Sequence, residues 1–89
     1  MFRIWGKIFK DNHLLQDMVY ENSDPDLNRT RKVYADLHEF CMAFDLQKPI
    51  WLEKNITEFK SSDKTRFYQD NFIEQIEFDY LEIHVIEED

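Results

Sequence analysis

The chain has 89 residues, of which 43% are hydrophobic, 34% are charged and one is glycine, and its formal net charge at pH 7 is −8. This composition predicts a single globular domain over residues 1–89 and argues against a loop-built or low-complexity protein. The negative charge disfavours nonspecific binding to nucleic acid or anionic lipid, and the single cysteine, Cys41, excludes an internal disulfide and is typical of a reducing compartment.

The N-terminal segment MFRIWGKIFK contains the start of the first predicted element. Arg3 and Lys7 interrupt its apolar residues, which does not fit a signal peptide. No run of the chain approaches the ~18 apolar residues of a membrane span. We therefore expect a cytoplasmic protein.

Residues 2–9 alternate with the period of a β-strand, because the even-numbered positions are apolar or glycine and the odd-numbered ones mix cations with aromatics. Lys10-Asp11-Asn12 supplies turn residues, and residues 13–21 alternate again, with Leu14, Met18 and Tyr20 on one face. The sequence thus predicts a β-hairpin. A short helix over residues 13–20 is the alternative, because the apolar residues there also fit helical spacing.

The first helix is predicted over residues 26–44. Asp24 is a candidate N-cap, and Pro25 suits the first helical position. The apolar residues that follow are spaced as one buried helical stripe requires: Leu27, Val33, Tyr34, Leu37, Phe40, Cys41 and Phe44.

A second helix is predicted to begin at Pro49, because the residue before a proline disfavours helical backbone and so ends the first helix. Ser61-Ser62-Asp63 predicts the end of the second helix and a new cap. The pattern of residues 64–73 fits either a short helix or an irregular loop, and both alternatives stay open.

The last predicted element is a strand over residues 75–86. Its apolar residues from Ile76 to Tyr80 alternate with acidic ones, and those from Leu81 to Val85 follow in the opposite phase. Such a flip predicts a bulge or a strand that is covered on both faces. The net charge lies in the same region, because residues 1–66 hold equal numbers of acidic and basic residues, whereas residues 67–89 hold eight acidic residues and no lysine or arginine.

Together these elements predict an α+β fold of order β-β-α-α-β, with a small three-stranded, mainly antiparallel sheet and both helices packed on one face. We expect the uncovered face to carry Trp5 and some of the C-terminal carboxylates. The predicted partner-binding residues are Trp5, Glu77, Asp79, Tyr80 and Glu82. Aromatic side chains anchor protein interfaces, and carboxylates select a basic partner and speed its encounter.

A further hypothesis is an anion-docking site at Arg29, Arg31 and Lys32, because a helix N-terminus with added cations attracts anions. The simpler alternative is that these residues face water or pair with the protein's own acidic C-terminal segment.

His38 and Cys41 lie three residues apart on the first predicted helix, so that their side chains could meet. A zinc site would need further ligands, and Cys41 falls on the apolar stripe, where a free cysteine packs as a small hydrophobe. We therefore expect no metal site, no cofactor and no catalytic residue.

The segments PIWLEKNITEF and TRFYQDNFIEQIEFDYLEI resemble a pattern shared by small bacterial proteins of uncharacterised function. The resemblance spans most of the chain. It implies a bacterial cytosolic protein and brings no catalytic residue or cofactor.

We expect a non-enzymatic protein-interaction module whose partner is another protein or a second copy of the chain. One alternative is a nucleic-acid mimic that blocks a DNA-binding protein, because arrayed carboxylates can imitate closely spaced phosphates. Another is a small ligand-binding domain or enzyme that uses Cys41 and His38. The negative charge disfavours direct nucleic-acid binding.

Overall fold

A four-stranded antiparallel sheet with two helices on one face makes up the fold, which a computed structural model describes for residues 1–88. The elements are β1 (Phe2–Lys10), β2 (His13–Asn22), α1 (Arg29–Ala43), α2 (Glu53–Ser62), β3 (Lys64–Phe67), a short 3-10 helix (Gln69–Asn71) and β4 (Tyr80–Glu87). The strands lie in the order β2-β1-β4-β3. The α+β class is confirmed, whereas the three-stranded sheet is wrong because β3 adds a fourth strand. Among the described residues, no helix is both long and apolar enough to cross a membrane.

The predicted hairpin is confirmed, and its turn explains why. Asp11 and Asn12 have φ values of 52° and 66°, as the two central residues of a type I′ turn require, and Asn and Asp tolerate this backbone well. β2 pairs with β1 from Lys10 and His13 to the far end of the hairpin. The alternative of a helix over residues 13–20 is therefore wrong.

A bulge in β2 changes one predicted facing. The register with β1 shifts between Ile8 and Phe9, so that Leu14 pairs with Phe9. Because paired residues project to the same side of a sheet, Leu14 lies on the face opposite to Met18 and not beside it.

The last strand begins at Tyr80 and not at residue 75. Residues 72–79 form no strand, so the phase flip in the sequence marks the point where a loop becomes a strand. The irregularity of β4 lies instead near its end, where the register with β1 shifts between Arg3 and Ile4.

The face of the sheet that carries the helices holds the core. Phe2, Ile4 and Ile8 of β1 are at most 2% exposed and belong to one cluster with the buried side chains of α1 and α2. A Cβ atom at Gly6 would lie only 2.8 Å from Cδ1 of Phe40. The single glycine of the chain therefore gives the Phe40 ring room to lie directly on β1.

α1 begins later than predicted, at Arg29 instead of residue 26. Asn28 is its N-cap, and the Asn28 Oδ1 accepts the Arg31 N–H at 2.9 Å. Asp24 caps the preceding turn, where its carboxylate accepts the Asp26 N–H at 2.9 Å.

α2 also begins later than predicted, at Glu53 and not at Pro49. The Asn55 Oδ1 accepts the Leu52 N–H at 3.1 Å and thereby fixes the start of the helix. The helix ends where predicted, because Asp63 takes the left-handed conformation with φ 58°. A new cap at Asp63 is wrong, since the chain continues directly into β3.

A buried amide network connects α2, β3 and the 3-10 helix. The Asn55 Nδ2 donates to the Thr65 hydroxyl and to the Arg66 carbonyl, both at 2.9 Å. The Asn71 Nδ2 donates to the Asn55 Oδ1 at 2.7 Å and to the Ile50 carbonyl at 2.8 Å. Since both asparagines are 0% exposed, these bonds satisfy polar groups that water cannot reach.

Candidate functional site on the open face of the sheet

One face of the sheet carries neither helix within residues 1–88, and we call it the open face. Its side chains come from alternate positions along the four strands, except where the register shifts in β2 and β4 insert one residue, and they form rows that run across the strands. These residues are Arg3, Trp5, Lys7 and Phe9 of β1, Leu14, Asp17, Val19 and Glu21 of β2, Lys64 and Arg66 of β3, and Tyr80, Glu82, His84 and Glu87 of β4. Mainly apolar rows alternate with charged rows.

The apolar rows are rich in aromatic rings. In one row Trp5 lies beside Val19, which is 45% exposed. In the other, Phe9 stacks on Tyr80 with ring centroids 5.2 Å apart. Tyr68 extends that row just beyond β3, with its centroid 5.3 Å from that of Tyr80. The open face therefore exposes parts of several large rings to solvent.

The charged row between them alternates in sign across all four strands, in the order Asp17, Lys7, Glu82 and Arg66. The Glu82 carboxylate is held from two sides, by the Lys7 Nζ at 2.7 Å and by the Arg66 Nε at 2.9 Å. At the edge of the row, the Asp17 Oδ2 accepts the Trp5 Nε1–H at 2.9 Å. Each charge thus lies beside a group of opposite sign or a hydrogen-bond partner.

Glu82 is shielded from water although no helix covers it, since its side chain is 7% exposed. This burial raises the pKa of the carboxyl, but the hydrogen bonds from Lys7 and Arg66 outweigh it and hold the pKa below its usual value. Both cations also lie over rings, with the Lys7 Nζ 3.9 Å from the centroid of Trp5 and the Arg66 Cζ 4.5 Å from that of Tyr80. The rings and the charges therefore pack as one layer.

The structure brings together three of the five predicted partner-binding residues, namely Trp5, Tyr80 and Glu82. Of these, Glu82 is an internal ion-pair partner of the layer. Glu77 and Asp79 lie outside β4, in the loop that precedes it. They do not share a strand face with the other three.

Asp79 has a structural contact at the hairpin turn. Its Oδ2 accepts the Asp11 N–H at 2.8 Å, and its own N–H donates to the Phe9 carbonyl at 2.9 Å. Asp79 therefore joins the start of β4 to the end of β1.

The carboxylates at the C-terminal end of β4 also pair within the protein. Glu88 accepts a bond from the Arg29 Nε at 2.7 Å, and a Glu87 oxygen lies 3.6 Å from the N-terminal ammonium of Met1. The acidic residues between positions 67 and 88 are thus distributed over several surroundings and do not form one continuous negative strip.

The three residues of the anion-docking hypothesis have different surroundings. Arg29 pairs with Asp63 and with Glu88, both at 2.7 Å. Lys32 is only 6% exposed, while Arg31 is exposed and lies two positions from Arg29 on the helix, a spacing that does not place side chains on one face. This arrangement agrees with the simpler alternative for Arg29, in which the cation pairs with the protein's own acidic segment.

Cys41 lies in the core at 2% exposure, and this burial raises the pKa of its thiol to about 11. The thiol is therefore protonated at neutral pH. The Nδ1 of the neighbouring His38 is buried and has no hydrogen-bond partner among the described residues. Within residues 1–88, no group of three or more His, Cys, Asp or Glu side chains is placed to hold a metal ion.

Sequence reasoning did not name Asp17, Lys7 and Arg66 as members of the site. The alternation of residues 2–9 does place Lys7 on the same face as Trp5. The positions of Asp17 and Arg66 depend on the pairing registers of β2 and β3, which the local pattern does not determine.

Comparisons of this chain with protein-family models, with curated proteins and with solved structures found no match. The bacterial origin and the cytoplasmic location that the sequence suggests therefore stay predictions.

Proposed function

We propose that this chain is a non-enzymatic protein-interaction module that binds its partner through the open face. The observation that carries the proposal is the set of part-exposed rings of Trp5, Phe9 and Tyr80 on a sheet face that carries neither helix. Aromatic rings in a polar surround are common anchors of protein interfaces, since they bury a large area at a small loss of side-chain entropy.

The charges of the open face favour a partner that presents both signs. In the part of the chain that the structure describes, four cations and four carboxylates lie on it: Arg3, Lys7, Lys64 and Arg66, and Asp17, Glu21, Glu82 and Glu87. The proposal therefore keeps the aromatic part of the predicted surface but replaces its acidic part with a balanced array. Such an array selects a partner by the order of its charges more than by its net charge.

The enzyme alternative has little support in the surroundings of Cys41. A nucleophilic cysteine needs a thiolate near neutral pH and access to a substrate. The Cys41 thiol is buried, and its pKa is raised to about 11.

The nucleic-acid mimic has weaker support than the sequence alone suggested. A mimic needs unpaired carboxylates over a broad surface at a spacing like that of phosphates. Glu82 and Glu88 instead pair with cations of this chain, each at 2.9 Å or less.

Photo-crosslinking in the cells that make the protein tests the proposal. A benzophenone amino acid at Val19 lies on the open face, whereas the same group at Met42, which is 66% exposed on α1, is the matched control. We expect a covalent protein adduct, with another protein or with a second copy, from position 19 only. Equal adducts from both positions, no adduct from position 19, or recovery of nucleic acid alone would contradict the proposal.

A further inference from the structure

We infer that the occupant of the open face is a second copy of this chain, packed face to face about a two-fold axis that runs parallel to β1 and β4. The inference rests on the proposed function, because it names the partner of the same surface. The order of the side chains across the strands of the open face is complementary to itself in this one orientation.

The charged row is complementary to itself about this axis. A two-fold axis along the strands, midway between β1 and β4, keeps each row opposite the same row of the second copy but reverses the order of the strands. β2 then faces β3, and β1 faces β4. In this order Asp17 meets Arg66 of the second copy, and Lys7 meets Glu82 of the second copy. Every facing pair in the row is of opposite sign.

The apolar rows agree with the same axis. Phe9 lies opposite Tyr80 of the second copy, and Trp5 lies opposite His84 of the second copy. Leu14, which the bulge in β2 turns to the open face, meets the end of β3 near Tyr68 of the second copy. Rings therefore face rings at the centre of both rows, while at the edge of one row Val19 lies opposite Lys64 of the second copy. Because the axis runs along the strands, the strands of the two copies lie nearly parallel, as they do in sheets that pack face to face in the aligned class.

An axis perpendicular to the strands does not give this agreement. If it passes between rows, it places charged rows against apolar ones. If it passes through the charged row, it places Asp17 on Asp17 and Glu82 on Glu82, and like charges in contact disfavour association. The side-chain order thus selects one orientation of the pair.

The two central charges of the row, Lys7 and Glu82, add little dehydration cost to such a contact, whereas Asp17 and Arg66 are more exposed in the single chain. The side chains of Lys7 and Glu82 are already only 12% and 7% exposed in the single chain, so most of their dehydration has occurred on folding. The net charge of −8 opposes association, but the open face itself contains equal numbers of cations and carboxylates.

The size of the face predicts a weak dimer. The open face has four strands about 4.8 Å apart, and each row-bearing stretch is about seven residues long at about 3.4 Å per residue, so its projected area is roughly 500 Å² per copy. A standard interface buries about 800 Å² per partner. We expect a dissociation constant in the micromolar range.

Sedimentation equilibrium of the full chain between about 5 and 500 µM tests the association. Asp17→Arg and Asp26→Arg form a matched pair, since each changes the formal net charge from −8 to −6. Asp17→Arg places a cation opposite Arg66 of the second copy, and we expect at least a tenfold rise in the dissociation constant. Asp26→Arg, in an exposed turn, leaves the constant equal or lower. A monomer at all concentrations, or equal effects of the two variants, would overturn the inference.

Disulfide trapping tests the orientation. Val19 and Lys64 lie at opposite ends of one row, so the axis along the strands places each opposite the other in the second copy. A mixture of Val19→Cys and Lys64→Cys proteins is expected to form mainly the mixed disulfide, because these two positions face each other across the interface. The native Cys41 does not compete, since it is buried. A preference for either homodisulfide, or no disulfide, would count against the inference. Circular dichroism of every variant checks that it is folded.

The two proposals fail separately. If the chain is monomeric but position 19 still captures a different protein, the second copy is wrong and the interaction module stands. If position 19 captures nothing at all, including its own copy, both are wrong.

Discussion

The two faces of the sheet each bury one carboxylate and treat it in opposite ways. On the covered side, Asp36 of α1 is 0% exposed. Within residues 1–88, one of its oxygens accepts a bond from the Asn22 amide at 3.1 Å and the other has no hydrogen-bond partner. On the open face, Glu82 accepts bonds from both Lys7 and Arg66. Burial raises the pKa of Asp36 to about 6, whereas the two cations hold the pKa of Glu82 below its usual value.

This difference shows how each face is stabilised. The covered face depends on apolar packing against the helices, and the ionised Asp36 there opposes folding because it lacks sufficient partners. The open face has no second layer, so its charges and rings shield one another. The open face can therefore stay exposed to water without a covering layer, and its part-exposed rings still offer apolar area to a partner.

The largest expected effect lies on the covered face. Phe40→Ala removes a fully buried ring that packs against Gly6, and we expect the free energy of unfolding to fall by about 3–5 kcal/mol. Trp5→Ala on the open face is the comparison, with an expected loss below about 1.5 kcal/mol because the ring is already part-exposed. Denaturant unfolding measures both. Equal losses in the free energy of unfolding for the two variants would show that Trp5 contributes as much to stability as a buried core ring, which would contradict this difference between the faces.

The next effect is in the buried amide network. Asn55→Ala removes its hydrogen bonds with the Leu52 N–H, the Thr65 hydroxyl, the Arg66 carbonyl and the Asn71 amide at once. We expect a loss of about 2–4 kcal/mol in the free energy of unfolding, because these bonds lie in a part of the core that water does not reach. Thr57→Ala, exposed on the same helix, should change it by less than about 0.5 kcal/mol. Similar values for the two variants would mean that the network does not stabilise the fold.

The third effect is a gain of stability that depends on pH. The pKa of Asp36 is about 6 in the folded protein against a usual 3.8, so the folded state binds more protons between these values and stability falls as the pH rises from about 4 to about 6. Asp36→Asn should raise the free energy of unfolding by about 1–3 kcal/mol at pH 7.5 and change it little at pH 3.5. Thermal unfolding across pH measures this, with Asp26→Asn as the exposed control. A gain that is the same at both pH values would contradict the assignment.

The smallest effect is on the open face and has the opposite sign. The pKa of Glu82 is lowered on folding, so its contribution is complete above the unfolded pKa and is lost as the pH falls through the folded pKa. Glu82→Gln should lower the free energy of unfolding by about 1–2 kcal/mol at pH 7 and by less in acid. Glu87→Gln, at an exposed pair, should change it by less than about 0.5 kcal/mol. A loss that does not shrink in acid would argue against the ion pairs as its cause.

Local pattern was sufficient where an element repeats regularly. The alternation of residues 2–9 and the Asp11-Asn12 turn predicted the hairpin, and the apolar spacing predicted α1. The start of each helix was misplaced, because the capping residues are Asn28 and the side chain of Asn55 rather than the residues near Asp24 and Pro49. Capping depends on which of several similar polar side chains reaches the backbone, which spacing does not reveal.

β3 could not be recognised from its own four residues. KTRF has no long alternation, and it becomes a strand because β4 pairs with it on one side and the amide network holds its connection to α2. The beginning of β4 at Tyr80 has a similar origin, because pairing with Phe9 starts there.

By itself the sequence determined the composition of the two faces of β1, since side chains on a strand alternate whatever their neighbours are. It placed Trp5 and Lys7 together before any fold was known. Only the tertiary structure decided what lies beside them, because Asp17, Glu82 and Arg66 come from three other strands whose registers depend on the turn, the bulge and the core. The alternating charged row is therefore a product of strand pairing across the chain.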